Sequence, residues 1–309
     1  MLSLAAENLL SPIILSFALG LFAALARSDL SVPEAAAKAR SIYLLFAIGF
    51  KGGVSVAAHG LDATLLLTLA AGFVLSASLP LIAFVLLQTM TGLSRIDAAA
   101  VAAHYGSISI VTFVAASSVL TSQGLVAEGY MVAVAAVMEA PAIVSALWLV
   151  SRGGGNGETA TRMDAELAIG ATTGEDGRAR ISSFVVAPFQ GGVGLFLLDM
   201  GLVAGRGLRQ GGKVLRPGVL GFGLLMPLVS ASIGAMLGLA IGRSTGGVML
   251  LMTLAASASY IAVPAAMRVA LPKADPSVSL TLSLGVTFPF NLTIGIPLYL
   301  AVATMLTGG

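Results

Sequence analysis

Apolar runs of about twenty residues, the length that crosses a hydrocarbon layer, recur along the chain between short polar connections. They predict membrane spans near 9–26, 41–58, 63–90, 97–120 and 127–150, and again near 183–205, 217–241, 246–271 and 278–306. Between the two sets lies a polar stretch, 151–182, rich in glycine and in charges of both signs such as Arg152, Glu158, Glu175, Asp176, Arg178 and Arg180. It reads as a flexible linker. The pattern divides the chain into a first transmembrane repeat over 1–150, the linker over 151–182 and a second transmembrane repeat over 183–309.

Two apolar segments carry the same polar signature. Ser107-Ile-Ser109 is followed, after five intervening residues, by Ala115-Ala116, and Ser257-Ala-Ser259 is followed at the same spacing by Ala265-Ala266. Other pieces correspond more loosely: Ala47 to Gly53 with Leu197 to Leu202, and Met138-Glu139-Ala-Pro141 with Phe288-Pro289-Phe-Asn291. Two units of about five helices each, an odd number, must lie inverted relative to one another, an arrangement common in secondary transporters. The four serines are then expected to converge near the middle of the membrane.

Composition agrees with the pattern. The 309 residues are 57% hydrophobic and 10% charged, with a mean hydropathy of +1.00. A polytopic, all-α membrane protein is expected. With no cysteine, disulfides, thiol catalysis and Cys-ligated metal are excluded. The formal net charge of +2 rests on scattered basic residues, which suit topology signals and anionic lipid; no nucleic-acid motif is found. The start, Met1 to Glu7, lacks a positive n-region, so no cleaved signal peptide is expected.

Loop charges set an orientation. Arg27, Lys38, Arg40, Arg95 and Arg152 fall in odd-numbered connections, whereas 59–62 and 121–128 hold no Lys or Arg. The N-terminus is expected outside and the linker in the cytoplasm. A single crossing at 183–205 would then put Arg206, Arg209, Lys213 and Arg216 outside, against the rule. The second repeat reads as one helix short.

Tyr105-Gly106-Ser107-Ile108-Ser109, Ser257-Ala-Ser259-Tyr260-Ile-Ala-Val263-Pro264, Met138-Glu139-Ala-Pro141-Ala, Phe196-Leu-Leu-Asp199-Met-Gly201 and Ile296-Pro-Leu-Tyr299 together resemble the sodium-dependent bicarbonate transporters, over nearly the whole chain. The resemblance implies ten helices in two inverted five-helix repeats, a core domain with broken helices moving against a gate domain, a homotrimer, and sodium-coupled import of bicarbonate without a further cofactor. It also implies a PII-like regulatory protein at the cytoplasmic face. Family ligand positions match Gly106, Ser107, Ile108 and Ser109, and Ser257, Ser259, Tyr260, Val263 and Pro264. The chain departs from the family pattern at Tyr260 and Glu139, each standing where an aspartate is usual, and in the missing span.

The residue chemistry fits a small anion. Unpaired N–H groups at a half-helix N-terminus carry partial positive charge, serine hydroxyls add neutral donors, Gly106 lets the chain open and Pro264 can start a half-helix. For the coupling ion, sodium or a proton, the candidates are Glu139, Asn291, Thr112, Ser109 and Ser259, with weaker support for Thr287. Glu139 is chosen because a charge inside a span costs about 2.5–3.5 kcal/mol on insertion scales and is retained for a reason. Asp199 is expected to pair with Lys51, Arg268 to snorkel, and Trp148 and Tyr299 to anchor at the interface. His104 could sense pH, though a lone histidine is more often a structural hydrogen-bonder. Other readings remain: a symporter for another inorganic or organic anion, driven by protons through Glu139; a membrane hydrolase using Ser107 or Ser109 with His104; and a non-transporting sensor. An enzyme is not expected.

Overall fold

The computed structural model describes residues 12–60, 62–150, 162–186, 188–210, 216–260, 263–264, 267 and 270–308. It is 83% helical with no strand among the described residues. The helices are α1 (Pro12–Leu25), α2 (Glu34–His59), α3 (Ala63–Met90), α4 (Arg95–Gly106), α5 (Ile110–Ser122), α6 (Met131–Val137), α7 (Glu139–Val150), α8 (Arg162–Arg180), α9 (Ser182–Val185), α10 (Phe189–Gln210), α11 (Pro217–Ala240) and α12 (Thr245–Ala256). The last, α13, runs over Pro276–Thr307. Val263, Pro264, Met267 and Ala270 are also helical.

Among the described residues, 7 helices are long and apolar enough to cross a membrane, counting α4–α5 and α6–α7 as one each, and Ile14–Leu25 and Thr245–Ala256 are shorter apolar helices. These are the nine apolar segments of the sequence. The exposed residues are themselves apolar (Phe22, Leu66, Phe73, Val85, Leu195, Met236). Lipid, not water, is the solvent for that surface.

Connections gather at two ends. At one, the Arg206 guanidinium donates to Leu30 O (2.5 Å) and Arg209 to Ala24 O (3.0 Å), and Asp275 N donates to Asp97 Oδ1 (2.8 Å). At the other, Ser244 N donates to Glu128 (2.9 Å), the His59 and Tyr130 rings meet at 4.6 Å, and Thr245 bonds Thr307 (2.7 Å).

This arrangement bears on two expectations, the flexible linker over 151–182 and the second repeat one helix short. With Leu30 beside Arg206, an even number of passes must separate them; α2, α3, α4–α5, α6–α7 and α10 supply an odd number, so the stretch before α10 supplies one more. That stretch is α8, within the segment read as a flexible linker. It lies along α2, while α10 lies along α1. Residues 151–161 are outside the described residues. Hydropathy missed α8 because its 19 residues include Arg162, Asp164, Glu166, Glu175, Asp176, Arg178 and Arg180. It bends at Gly174, whose φ of 57° a side-chain-bearing residue rarely adopts.

Helix contacts are close where glycine allows. A Cβ on Gly20 would overlap the Leu198 carbonyl, and one on Gly201 the Phe17 carbonyl, so α1 and α10 meet backbone to backbone, as small-residue faces do in membranes. Asp199 on α10 does pair with a base on α2, but the base is Arg40 (2.6 Å). Lys51 instead sits 3.8 Å from the Phe189 ring centroid. The antiparallel register explains the exchange: it sets Lys51 opposite the start of α10 and Arg40 opposite Asp199.

Candidate functional site

Three helices are interrupted, each for a local reason. Between α4 and α5, Ser107 ends one half-helix with extended backbone and Ser109 caps the next, accepting from Thr112 N, as N-cap serines do. Gly106 is required here, since a Cβ would lie 2.8 Å from Ser76 O and overlap the Pro80 ring. After α12, Ser257 turns extended in the same way. Between α6 and α7 the interruption falls at Met138, three residues before Pro141, whose missing N–H is tolerated in a first helical turn. Ser76 on α3 bridges that third gap, donating to Met138 O (2.5 Å) and accepting from Ala142 N (3.0 Å). The sequence contained no signal for Ser76.

The first two interruptions cross. Ser109 N donates to Ser257 Oγ (2.9 Å), Ser259 N donates to His104 O (2.7 Å), and His104 Nδ1 meets Ser259 O at 2.6 Å. A carbonyl only accepts, so Nδ1 carries the proton. Ser109 Oγ donates to Tyr260 Oη (2.8 Å) and accepts from Thr112 Oγ1 (2.9 Å), leaving the Tyr260 proton for another acceptor. All four serines and Tyr260 are buried, as is Ile108 at 3% exposure and Val263 at 0%. The sequence pairing of the two stretches is therefore met in space, with Gly106, Ser107, Ile108, Ser109, Ser257, Ser259, Tyr260 and Thr112 gathered at one crossing. Pro264 stands aside, lining a cavity of about 130 Å³ with His104, Met267 and Ser279.

Two of the candidate ion-coupling groups are tied to this crossing from outside. Glu139 Oε2 accepts from Ser107 Oγ (2.7 Å). Asn291 donates to Ala256 O (2.9 Å), the end of α12, and accepts from Tyr299 Oη (2.8 Å). Tyr299 is thus buried at 1% exposure rather than anchored at the interface; the amide acceptor of Asn291 draws its hydroxyl inward. Trp148 is exposed, as an interface residue would be, and Arg268 lies outside the described residues. Thr287 donates to Gly223 O (2.8 Å), so at 2.6 Å it must accept from Tyr105 Oη.

Asn291 sits in a π-helical stretch, Asn291–Gly295, and a second such stretch covers Ser283–Thr287, on either side of Phe288-Pro289-Phe290. Proline removes a backbone donor, and π-turns cluster at functional sites. An aromatic row leads outward from the crossing: Tyr260 packs edge-on against Phe288 (5.4 Å) and stacks with Phe196 on α10 (6.0 Å). The Arg40 guanidinium lies 5.3 Å from the Phe196 centroid.

The donors at the crossing are neutral hydroxyls and the N–H groups opening α5, suited to an anion of low charge density. The oxygens of Ser109, Thr112, Asn291 and Glu139 suit a hard cation. Hydrolytic chemistry is not arranged here, because the His104 ring is bonded to the Ser259 carbonyl and Ser107 to Glu139. Compared with known families, residues 12–304 match the Na+-dependent bicarbonate transporter superfamily. No curated protein matches the chain.

Proposed function

The chain belongs to the Na+-dependent bicarbonate transporter superfamily, and from that premise we propose that it is a sodium-coupled symporter importing bicarbonate or a similar small anion. Transport family membership also sets aside the enzyme reading. The observation that carries the proposal is the crossing of the two interrupted helices, where Ser109 N meets Ser257 Oγ and the Ser259 hydroxyl, 1% exposed, has no partner among the described residues. A buried hydroxyl without a partner costs about 1–3 kcal/mol, a cost that a bound anion removes.

In this reading the anion rests between Ser109, Ser259, Tyr260 and the N-terminus of α5. The cation is coordinated nearby by oxygens drawn from Ser109, Thr112, Ser259, Asn291 and Glu139. The swapped packing of α1 on α10 and α2 on α8 supports two inverted five-helix repeats, with these four helices as the gate and the interrupted helices as the core. The basic end, with Arg27, Arg95, Arg206, Arg209 and Lys273, faces the cytoplasm, and the N-terminus the outside, of a bacterial inner membrane. Homotrimeric assembly and a PII-like regulator at the cytoplasmic face follow from the family resemblance alone.

The test is uptake of labelled bicarbonate into proteoliposomes with and without an inward sodium gradient. Gradient-dependent uptake is expected; equal uptake in both would end the sodium claim. The Glu139–Ser107 contact favours one second reading, in which Glu139 carries a proton and another anion is cargo. Uptake driven by a pH gradient without sodium, with bicarbonate failing to compete, would establish that reading instead.

A further inference from the structure

We propose that His104 is the positioning residue that presents the Ser259 hydroxyl to the anion, a role that rests on the transport reading above. His104 is wholly buried, at 0% exposure, at the end of α4, on the opposite repeat from Ser259. It engages both main-chain polar groups of Ser259: the His104 carbonyl accepts from Ser259 N at 2.7 Å and its Nδ1–H donates to Ser259 O at 2.6 Å. Two bonds to one residue, one to the peptide plane on each side of its Cα, fix the backbone of Ser259 and so the direction of its side chain. With N–H and C=O held by His104, the side chain is the only polar part of Ser259 left to act, and its Oγ is buried with no partner among the described residues.

The arrangement also has a reciprocal member. Ser109 N, from the first interruption, donates to Ser257 Oγ in the second at 2.9 Å. Each interruption therefore holds the other, and His104 supplies the two bonds on the Ser259 side. Here the satisfied nitrogen is the one that reaches across the repeats to the residue bearing the free donor.

The second ring nitrogen separates this role from proton binding. Nε2 is buried and unpartnered among the described residues, and the His104 residue lines the 130 Å³ cavity beside Pro264, Met267 and Ser279. Asparagine places an amide donor where histidine has Nδ1 and has nothing at the place of Nε2. His104→Asn should keep the role, and His104→Phe should lose it.

The experiment has a structural arm and a transport arm. Hydrogen–deuterium exchange of peptides covering 257–260 is expected to be faster in His104→Phe and near wild type in His104→Asn, whatever the cargo proves to be. In proteoliposomes, His104→Phe is expected to raise the KM for bicarbonate about fivefold, the equivalent of one hydrogen bond, with little change in maximal rate. A His104→Phe, Ser259→Ala double variant should have the KM of Ser259→Ala, because the positioned group is then gone. Unchanged exchange in His104→Phe, or additive KM effects in the double variant, would overturn the proposal. So would His104→Asn behaving like His104→Phe or failing to fold, since the Nε2 edge would then be the working one. If bicarbonate uptake is absent in the wild type while exchange behaves as expected, the transport reading fails and the clasp stands.

Discussion

Two serines in matched sequence positions do different work, and substitution should separate them. Ser259 Oγ has no partner among the described residues, so Ser259→Ala should leave thermal stability in detergent unchanged or slightly raised. It should weaken anion affinity by about 1 kcal/mol, the worth of a neutral hydrogen bond. The Ser109 hydroxyl is bonded to Thr112 and Tyr260, so Ser109→Ala should lower both affinity and the melting temperature. A thermal-shift series with and without bicarbonate reads both quantities; equal loss of stability in the two variants would contradict the unpartnered state of Ser259. Glu139 permits a cleaner isosteric test. Its Oε2 accepts from Ser107, and a glutamine can accept the same bond through its amide oxygen while removing the charge. Glu139→Gln should therefore keep the local geometry but lose or change the cation dependence of uptake, and an unchanged sodium response would remove this carboxylate from coupling.

At the scale of elements, the interruption after α4 depends on Gly106, because α3 approaches so closely there. Gly106→Ala puts a methyl group 2.8 Å from Ser76 O and into the Pro80 ring. Overpacking of this kind costs about 1–3 kcal/mol, so a lower melting temperature is expected, and a variant as stable as the wild type would mean that α3 and α4 can separate freely. The nine apolar elements were legible because hydropathy depends on composition alone, and the meeting of Ser107–Ser109 with Ser257–Ser259 was legible because duplication implies symmetry. What could not be read are contacts set by register and rotation. Asp199 found Arg40 and not Lys51, Tyr299 turned inward to Asn291, and Ser76 bridged Met138 and Ala142 from a helix that looks wholly ordinary in sequence. Each depends on which residue of an antiparallel neighbour lies opposite, which no local pattern encodes.

Across the whole molecule the open physical problem is α8. Each charge at a helix centre costs about 2.5–3.5 kcal/mol on insertion scales, and α8 holds Asp164, Glu166, Glu175, Asp176 and Arg178 within one pass. An ion pair within α8 and a companion helix offset part of this. Arg178 pairs with Glu175 at 3.0 Å, and α8 lies along α2, so part of its surface meets protein in place of lipid. Chain geometry favours α8 as a pass, since Leu30 and Arg206 touch and Asp97 and Asp275 touch. Two exposed serines, Ser28 on a connection and Ser277 in the first turn of α13, lie at that shared end, and Gln123 lies at the other. Because the chain has no native cysteine, single variants Ser28→Cys, Ser277→Cys and Gln123→Cys can be labelled on intact cells with a membrane-impermeant maleimide. Gln123→Cys should react from outside, whereas Ser28→Cys and Ser277→Cys should both react only after permeabilisation, as the excess of Lys and Arg at their end requires. Labelling of Ser28→Cys and Ser277→Cys from opposite faces would mean that α8 does not cross, and the second half would then be one helix short after all.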